Sequence, residues 1–411
     1  MRRVSLVGAS AFAVAAVGVG AWVLHVRHEG RTIVGSPTIE FHPQPTPRAR
    51  RSAAGGVAWP TYGFGAARTR SLEGVGLRPP FHRIWTWHGG ALLEFPPVVS
   101  AGRLFIATFD GRFYALDART GRAIWRYDSG RCGWASPALA SSLVVETFIG
   151  HTCSAAVPGR DGEVVAFERA TGRVRWRRVI GPTESSPLVA NGLVYVGDWT
   201  GRVYALSART GVTRWVYRTG GQVKSSAALA GGRIYIGSYD GHAYCLDARS
   251  GRLIWRGSSQ PRLGGSGTFY ATPALDYDRV YFGSTDGKVY SFGAETGKLR
   301  WSRPTGGYVY ASPAVWDQLV LVGSYSRRFF ALDAATGRVR WSFTANGPIS
   351  GAASVIDGVV YFSTFAHRTY ALDAKTGRLL WSWPDGEYSP VVTDGRRLYL
   401  TGRGKLYGLA R

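Results

Sequence analysis

Between residues 183 and 219 the chain reads TESSPLVANGLVYVGDWTGRVYALSARTGVTRWVYRT, and its apolar positions fall into four short runs. SSPLVA, LVYVGD, RVYALSA and VTRWVY each alternate or stay apolar for four to seven residues and are rich in Val, Tyr and Trp, the pattern of strands rather than helices. The polar breaks are Asn191-Gly192, Trp199-Thr200-Gly201 and Arg209-Thr210-Gly211, where glycine supplies the positive φ of a tight hairpin turn. The unit is a four-stranded meander.

The unit repeats, with a Trp as its marker. Four residues after the Gly of a Thr-Gly or Ser-Gly turn stand Trp125, Trp176, Trp215, Trp255, Trp301, Trp341 and Trp381, spaced by 51, 39, 40, 46, 40 and 40 residues. A period near 40 with four strands per unit predicts a propeller rather than a solenoid or a sandwich. Trp85, in FHRIWTW, lies 40 residues before Trp125 without the turn, and the final stretch SPVVTDGRRLYLTGRGKLYGLAR supplies three strands but no Trp strand. The two ends are complementary. The expected fold is therefore all-β, an eight-bladed propeller of four-stranded antiparallel blades over residues 58–411, whose last blade joins both ends and leaves no open edge.

Ahead of the repeats, residues 4–24 carry no charge, enough at about 1.5 Å per residue to cross roughly 30 Å of hydrocarbon. Residues 1–28 are read as an N-terminal transmembrane signal-anchor with Arg2 and Arg3 inside, placing the propeller outside the cytoplasmic membrane. A signal peptide cleaved after Ala21 is the rival, and would make the protein secreted. No Cys precedes Cys132, which excludes a lipoprotein cleavage box. Residues 29–57, with Pro37, Pro43, Pro45, Pro47 and the run Arg48-Ala49-Arg50-Arg51, read as a disordered, extended linker.

Composition adds one question. The formal charge is +24, but only five of the 50 basic residues are Lys, and the Arg are spread over every repeat without a recognition motif. That argues against nucleic acid as a partner. After the turn glycines come Arg122, Arg173, Val212, Arg252, Lys298, Arg338 and Arg378, a basic collar suited to anionic lipid or wall polymer, or simply solvated.

Two segments carry a family resemblance. Trp59-Pro60, Tyr62-Gly63 and Ala67-Arg68-Thr69, followed by the repeated VYALDAxTGxxxW, resemble the PQQ-like propeller proteins with tryptophan-docking repeats, a superfamily that includes quinoprotein dehydrogenases and BamB-like assembly factors. The resemblance implies that Trp85 and the seven repeat Trp dock between blades. For a quinoprotein it also implies PQQ and a calcium held by Glu, Asn and Asp, a catalytic Asp and often adjacent cysteines. This chain has no adjacent Cys pair and no C-x-x-C-H haem site, and is shorter than those enzymes.

Chemistry is sought at the strand entries. Aligned on the Ser-Pro of each first strand, the preceding residues are Glu94, Trp134, Glu184, Lys224, Tyr270, Tyr310, Ile349 and, one residue short, Glu387. Converging on one channel rim, they would suit a small ligand or a metal ion, carboxylate oxygens being right for calcium; a wetted rim of balanced charges is the alternative. Cys132 and Cys153 belong to one blade and are candidates for a disulfide, or for two free thiols; Cys245 replaces an Ala and reads as a small buried side chain. No Walker loop, H-E-x-x-H, G-x-S-x-G or Cys/His metal spacing is present. The expected function is a membrane-anchored, non-catalytic interaction or envelope-assembly scaffold for other envelope proteins, with no cofactor. The alternative is a PQQ- and calcium-dependent dehydrogenase, or a small-ligand sensor, at the rim.

Overall fold

The register of the strands explains why the repeat keeps its residues. In the unit described above, Leu188–Ala190, Leu193–Gly197, Arg202–Ser207 and Thr213–Arg218 form one antiparallel sheet in chain order, with Trp215 opposite Ala205. In the other units Trp125 faces Ala115, Trp176 faces Ala166, Trp255 faces Cys245, Trp301 faces Ser291, Trp341 faces Ala331 and Trp381 faces Ala371. A small side chain always stands across from the indole, so the ring can lie flat on its sheet.

The computed structural model describes residues 31–43, 56–151, 161–262 and 265–411. Within them stand eight blades of four antiparallel strands, an all-β propeller. The last blade pairs His82–His88 with Lys405–Ala410, followed by Leu398–Thr401 and Val392–Thr393, so the two ends of the repeat region close the ring. Trp85 there faces Gly408, another small residue. Among the described residues no helix is long and apolar enough to cross a membrane, and the anchor expected over residues 1–28 lies outside them.

The blades are joined through the indoles. The Nε1 of Trp301 donates to the Ala334 carbonyl of the next blade at 2.8 Å, and its ring covers Gly337, where an added Cβ would come within 2.7 Å of it. The φ of +70° at Gly337 is a second reason for glycine. The contact recurs between Trp85 and Gly121, Trp125 and Gly172, Trp176 and Gly211, Trp215 and Gly251, Trp255 and Gly297, and Trp341 and Gly377. The turn glycine thus serves its own hairpin and its neighbour's Trp. Trp381 meets Phe81 instead, edge-on at 5.8 Å, because the closing blade is made from two chain ends and has no such turn.

Residues 57–72 fill the channel from within. Val57 donates to Asp394, Trp59 exchanges bonds with Val99, and the carbonyls of Pro60, Ala66, Ala67, Thr69 and Arg70 accept from Leu139, Leu229, Leu275, Val315 and Val355 in turn. One innermost strand after another is met, until Ser71–Leu72 adds a parallel strand beside Val355 and Ile356. At the remaining blade the guanidinium of the fully buried Arg68 donates to Ser186 and Pro187, and also to Ala227 and the Thr61 hydroxyl. The guanidinium thus supplies donors to carbonyls buried within the channel. Burial, with Arg70 close by, pushes the Arg68 pKa down to about 9.

The expected disordered linker over residues 29–57 needs correction for residues 31–43. Ile33 bridges Ser302, Gly35 donates to Thr336, Phe41 packs on Tyr277, and Glu40 accepts from Arg300 Nε at 2.6 Å. Prolines and polar residues conceal one apolar anchor and one well-placed acid, and these seat the segment on the outer strand and turns of two blades. Glu40→Ala is expected to speed proteolysis within this segment severalfold, at about 1 kcal/mol or less of overall stability, as for a partly exposed pair. Timed limited proteolysis beside thermal unfolding checks both halves of that expectation.

Candidate functional site

The strand entries converge as the alignment implies. Glu94, Glu184, Lys224, Tyr270 and Tyr310 line one cavity of about 50 Å³ at the channel mouth, and Tyr62, from the channel-filling segment, closes it from within. Beneath them the hydroxyls of the Ser-Pro motifs link neighbouring blades: Ser136 N–H donates to Ser186, Ser186 to Ser226, Ser226 to Thr272 and Thr272 to Ser312, at 2.8–3.2 Å. The motif that locates the rim in the sequence therefore also holds it rigid.

The other aligned residues stand apart from the cavity. Trp134 packs against Phe109 and Trp199, with ring centroids 5.3 and 6.2 Å away. Glu387 turns toward Arg403 and His367, at 3.7 and 3.9 Å, and Ile349 is core. Tyr388 lines the cavity in place of Glu387, a consequence of the one-residue offset in that blade. Alignment of strand entries misses a second aromatic set, Phe109, Trp199, Tyr239, Tyr325 and Phe365. Its signal is an aromatic residue at the second position of the four-residue turn between the second and third strands, recurring in five blades.

Electrostatics separate the two central acids. Glu184 is buried and saturated: Lys224 Nζ lies 2.9 Å from Oε1, Trp199 Nε1 donates to the same oxygen at 3.1 Å, and the Tyr270 hydroxyl reaches Oε2 at 3.4 Å. Burial raises its pKa, and Lys224 acts against that rise. Glu94 has no hydrogen-bond or ion-pair partner for its carboxyl among the described residues. Burial first, then the nearby charges of Glu184 and Glu387, push its pKa up to about 7.

These residues do not fit a calcium–quinone pair. Calcium takes 6–8 oxygen ligands, whereas Lys224 already places an ammonium against the carboxylate a metal would need. Among the described residues no group of three His, Cys, Asp or Glu is arranged to hold a metal. A cavity of about 50 Å³ has room for a few water molecules, at roughly 10–15 Å³ each.

Elsewhere, Cys132 is disulfide-bonded, Cys245 is a free buried thiol, and Cys153 lies outside the described residues. The collar residues Arg122, Arg173, Arg252, Lys298, Arg338 and Arg378 are all exposed, at the blade end opposite the mouth. Arg173 is engaged by Glu168 at 2.8 Å.

Known proteins share the repeat. The family model described as outer membrane protein assembly factor BamB matches residues 53–154, 82–187, 160–313 and 304–411. The outer membrane protein assembly factor BamB of Burkholderia pseudomallei is 31% identical over 148 residues, which cover 33% of each chain, so the match spans about a third of that relative. The crystal structure of BamB from Moraxella catarrhalis superposes with a TM-score of 0.68 at 17% identity, covering 81% of this chain and 100% of the other. The quinohemoprotein alcohol dehydrogenase of Comamonas testosteroni gives 0.74 at 16% identity, covering 86% and 80%. At such identities the structural likeness shows the fold alone.

Proposed function

Since this chain belongs to the family described as outer membrane protein assembly factor BamB, we propose that it is a non-catalytic binding platform of the cell envelope, which gathers other envelope proteins on its faces. One observation carries this reading. The channel, where a propeller enzyme would seat a cofactor, is filled by the chain's own residues 57–72, and its central carboxylate is neutralised by the chain's own Lys224. What is left to outside molecules is the small channel mouth and the loop surface around it, including Tyr308, 51% exposed.

The disulfide at Cys132 favours an oxidising compartment outside the cytoplasm. The uncharged run of residues 4–24 supports a single-pass anchor in the cytoplasmic membrane, with the propeller on the outer side. The collar is the surface suited to anionic lipid or wall polymer, an attraction that salt weakens. A photo-crosslinking residue at Tyr308 and, separately, at Arg252 tests the platform in intact cells carrying the full chain. A discrete adduct with an envelope protein from at least one position is expected; two positions that both stay free of adducts would sink the reading.

A further inference from the structure

We propose that the channel mouth binds a primary alkylammonium group, its charge held by Glu94 and its carbon chain laid along the neighbouring tyrosines. The mouth contains its own template for this recognition. Lys224 is an alkylammonium whose Nζ sits 2.9 Å from the Glu184 carboxylate, 4.2 Å from the Trp199 ring centre and 5.4 Å from that of Tyr239. Carboxylate and aromatic faces together hold a cation in this way because the ring quadrupole adds to the ion pair where water is scarce.

Across the same cavity the arrangement recurs without its ammonium. Glu94 lines the cavity, half-buried and open to the mouth, and no donor among the described residues reaches its carboxyl. Beside it runs a continuous arc of rings: Tyr270 to Tyr310 at 5.3 Å, Tyr310 to Tyr325 at 5.1 Å, Tyr325 to Phe365 at 5.6 Å and Phe365 to Tyr388 at 5.1 Å. A partly buried acid without a protein donor has lost part of its hydration, and a ligand donor makes good that loss. The charge of the missing group follows from its surroundings. The charges of Glu184 and Glu387 act on Glu94, against Lys224 as the one opposing cation among the described residues, so the mouth favours a positive guest.

Size narrows the class further. The enclosed space of about 50 Å³ admits an –NH3⁺ head and its first methylenes, and the open side of the mouth lets the chain continue outward past Tyr310. A quaternary head lacks the N–H donors that Glu94 and the Ser350 hydroxyl can accept. Binding is linked to the ionisation of Glu94. Its pKa of about 7 makes the acceptor half-neutral near neutrality, so affinity rises between about pH 6 and 8. Glu184, Glu387, Lys224, Tyr270 and Tyr388 also face this carboxyl, with His367 and Arg403 behind Glu387, so the profile must be read against a Glu94 variant.

The test is calorimetric titration of the full chain in detergent with n-butylammonium, Nα-acetyl-lysine amide, tetramethylammonium and 1-butanol. Saturable binding of the primary ammonium ions is expected, about tenfold weaker in Glu94→Gln and weaker also in Tyr310→Leu, with little or none for the other two probes. Tighter binding of n-butylammonium would identify a free amine as the guest; tighter binding of the lysine amide would identify a lysine side chain of a polypeptide. Absence of saturable binding by the wild type, or unchanged affinity in a folded Glu94→Gln, overturns the proposal. It stands independently of the platform reading, which the crosslinking decides.

Discussion

Trp301→Ala is expected to lower the unfolding free energy by about 3–5 kcal/mol, the loss typical of a buried Trp truncated to Ala. No part of the Trp301 side chain is exposed, its Nε1 bonds the next blade at 2.8 Å, and Tyr281 lies 5.9 Å from its ring. Removal leaves a cavity between two blades and an uncovered turn glycine, and the Ala334 carbonyl keeps only its bond from the Tyr281 hydroxyl at 3.2 Å. Trp381→Ala provides the internal contrast. That indole is only partly buried and meets Phe81 rather than a turn glycine, so its loss should be distinctly smaller. Urea unfolding followed by circular dichroism measures both. Equal losses, or a Trp301 loss below about 1 kcal/mol, would contradict docking as the chief tie between blades.

That tie is legible in the sequence because it repeats. A Trp four residues after a turn glycine, with a small residue at the matching point of the preceding strand, states both the period and the contact; Cys245 and Ser291 break the Ala pattern without breaking its size rule. The mouth is half legible for the same reason. Residues at one alignment column, Glu94, Glu184, Lys224, Tyr270 and Tyr310, converge on the cavity. Trp134 and Glu387 share the column but not the cavity, because neighbouring rings and basic side chains draw them aside. Features that occur once leave no period to read. Arg68 and Arg70 give no sequence signal of lying within the channel, and Glu40 and Phe41 sit in a proline-rich stretch whose composition suggests a spacer.

Glu146→Ile is expected to stabilise the protein near pH 7, by an amount that grows as pH rises. Glu146 is fully buried in Leu143–Phe148, accepts one backbone bond from Thr147 at 2.8 Å, and leaves Oε2 without a partner. The same position in the other blades holds Ile106, Val196, Ile236, Phe282, Val322, Phe362 and Leu400, all buried. An aliphatic side chain therefore has a ready-made site. Burial raises the Glu146 pKa well above its ordinary 4.5, so the folded protein keeps a proton that the unfolded chain releases. The penalty is absent below the ordinary pKa and grows by roughly 1.4 kcal/mol per pH unit above it, until the folded group ionises. The stability gap between Glu146→Ile and wild type should thus be small near about pH 4 and large near about pH 8. Urea midpoints across that range check it. A gap independent of pH would mean that packing alone, and not a buried neutral acid, separates the two proteins.

The central claim is that the mouth of this propeller is a binding surface completed by the chain itself, and not a quinone site. Titration of the full chain with PQQ and millimolar calcium, read by thermal shift and by the quinone absorption spectrum, addresses it most directly. No saturable shift is expected from either addition or from both, because Lys224 neutralises Glu184 and Tyr62 closes the cavity from within. A saturable shift that requires both PQQ and calcium, and is lost in Glu184→Ala, would contradict the account and place this chain among the quinoproteins.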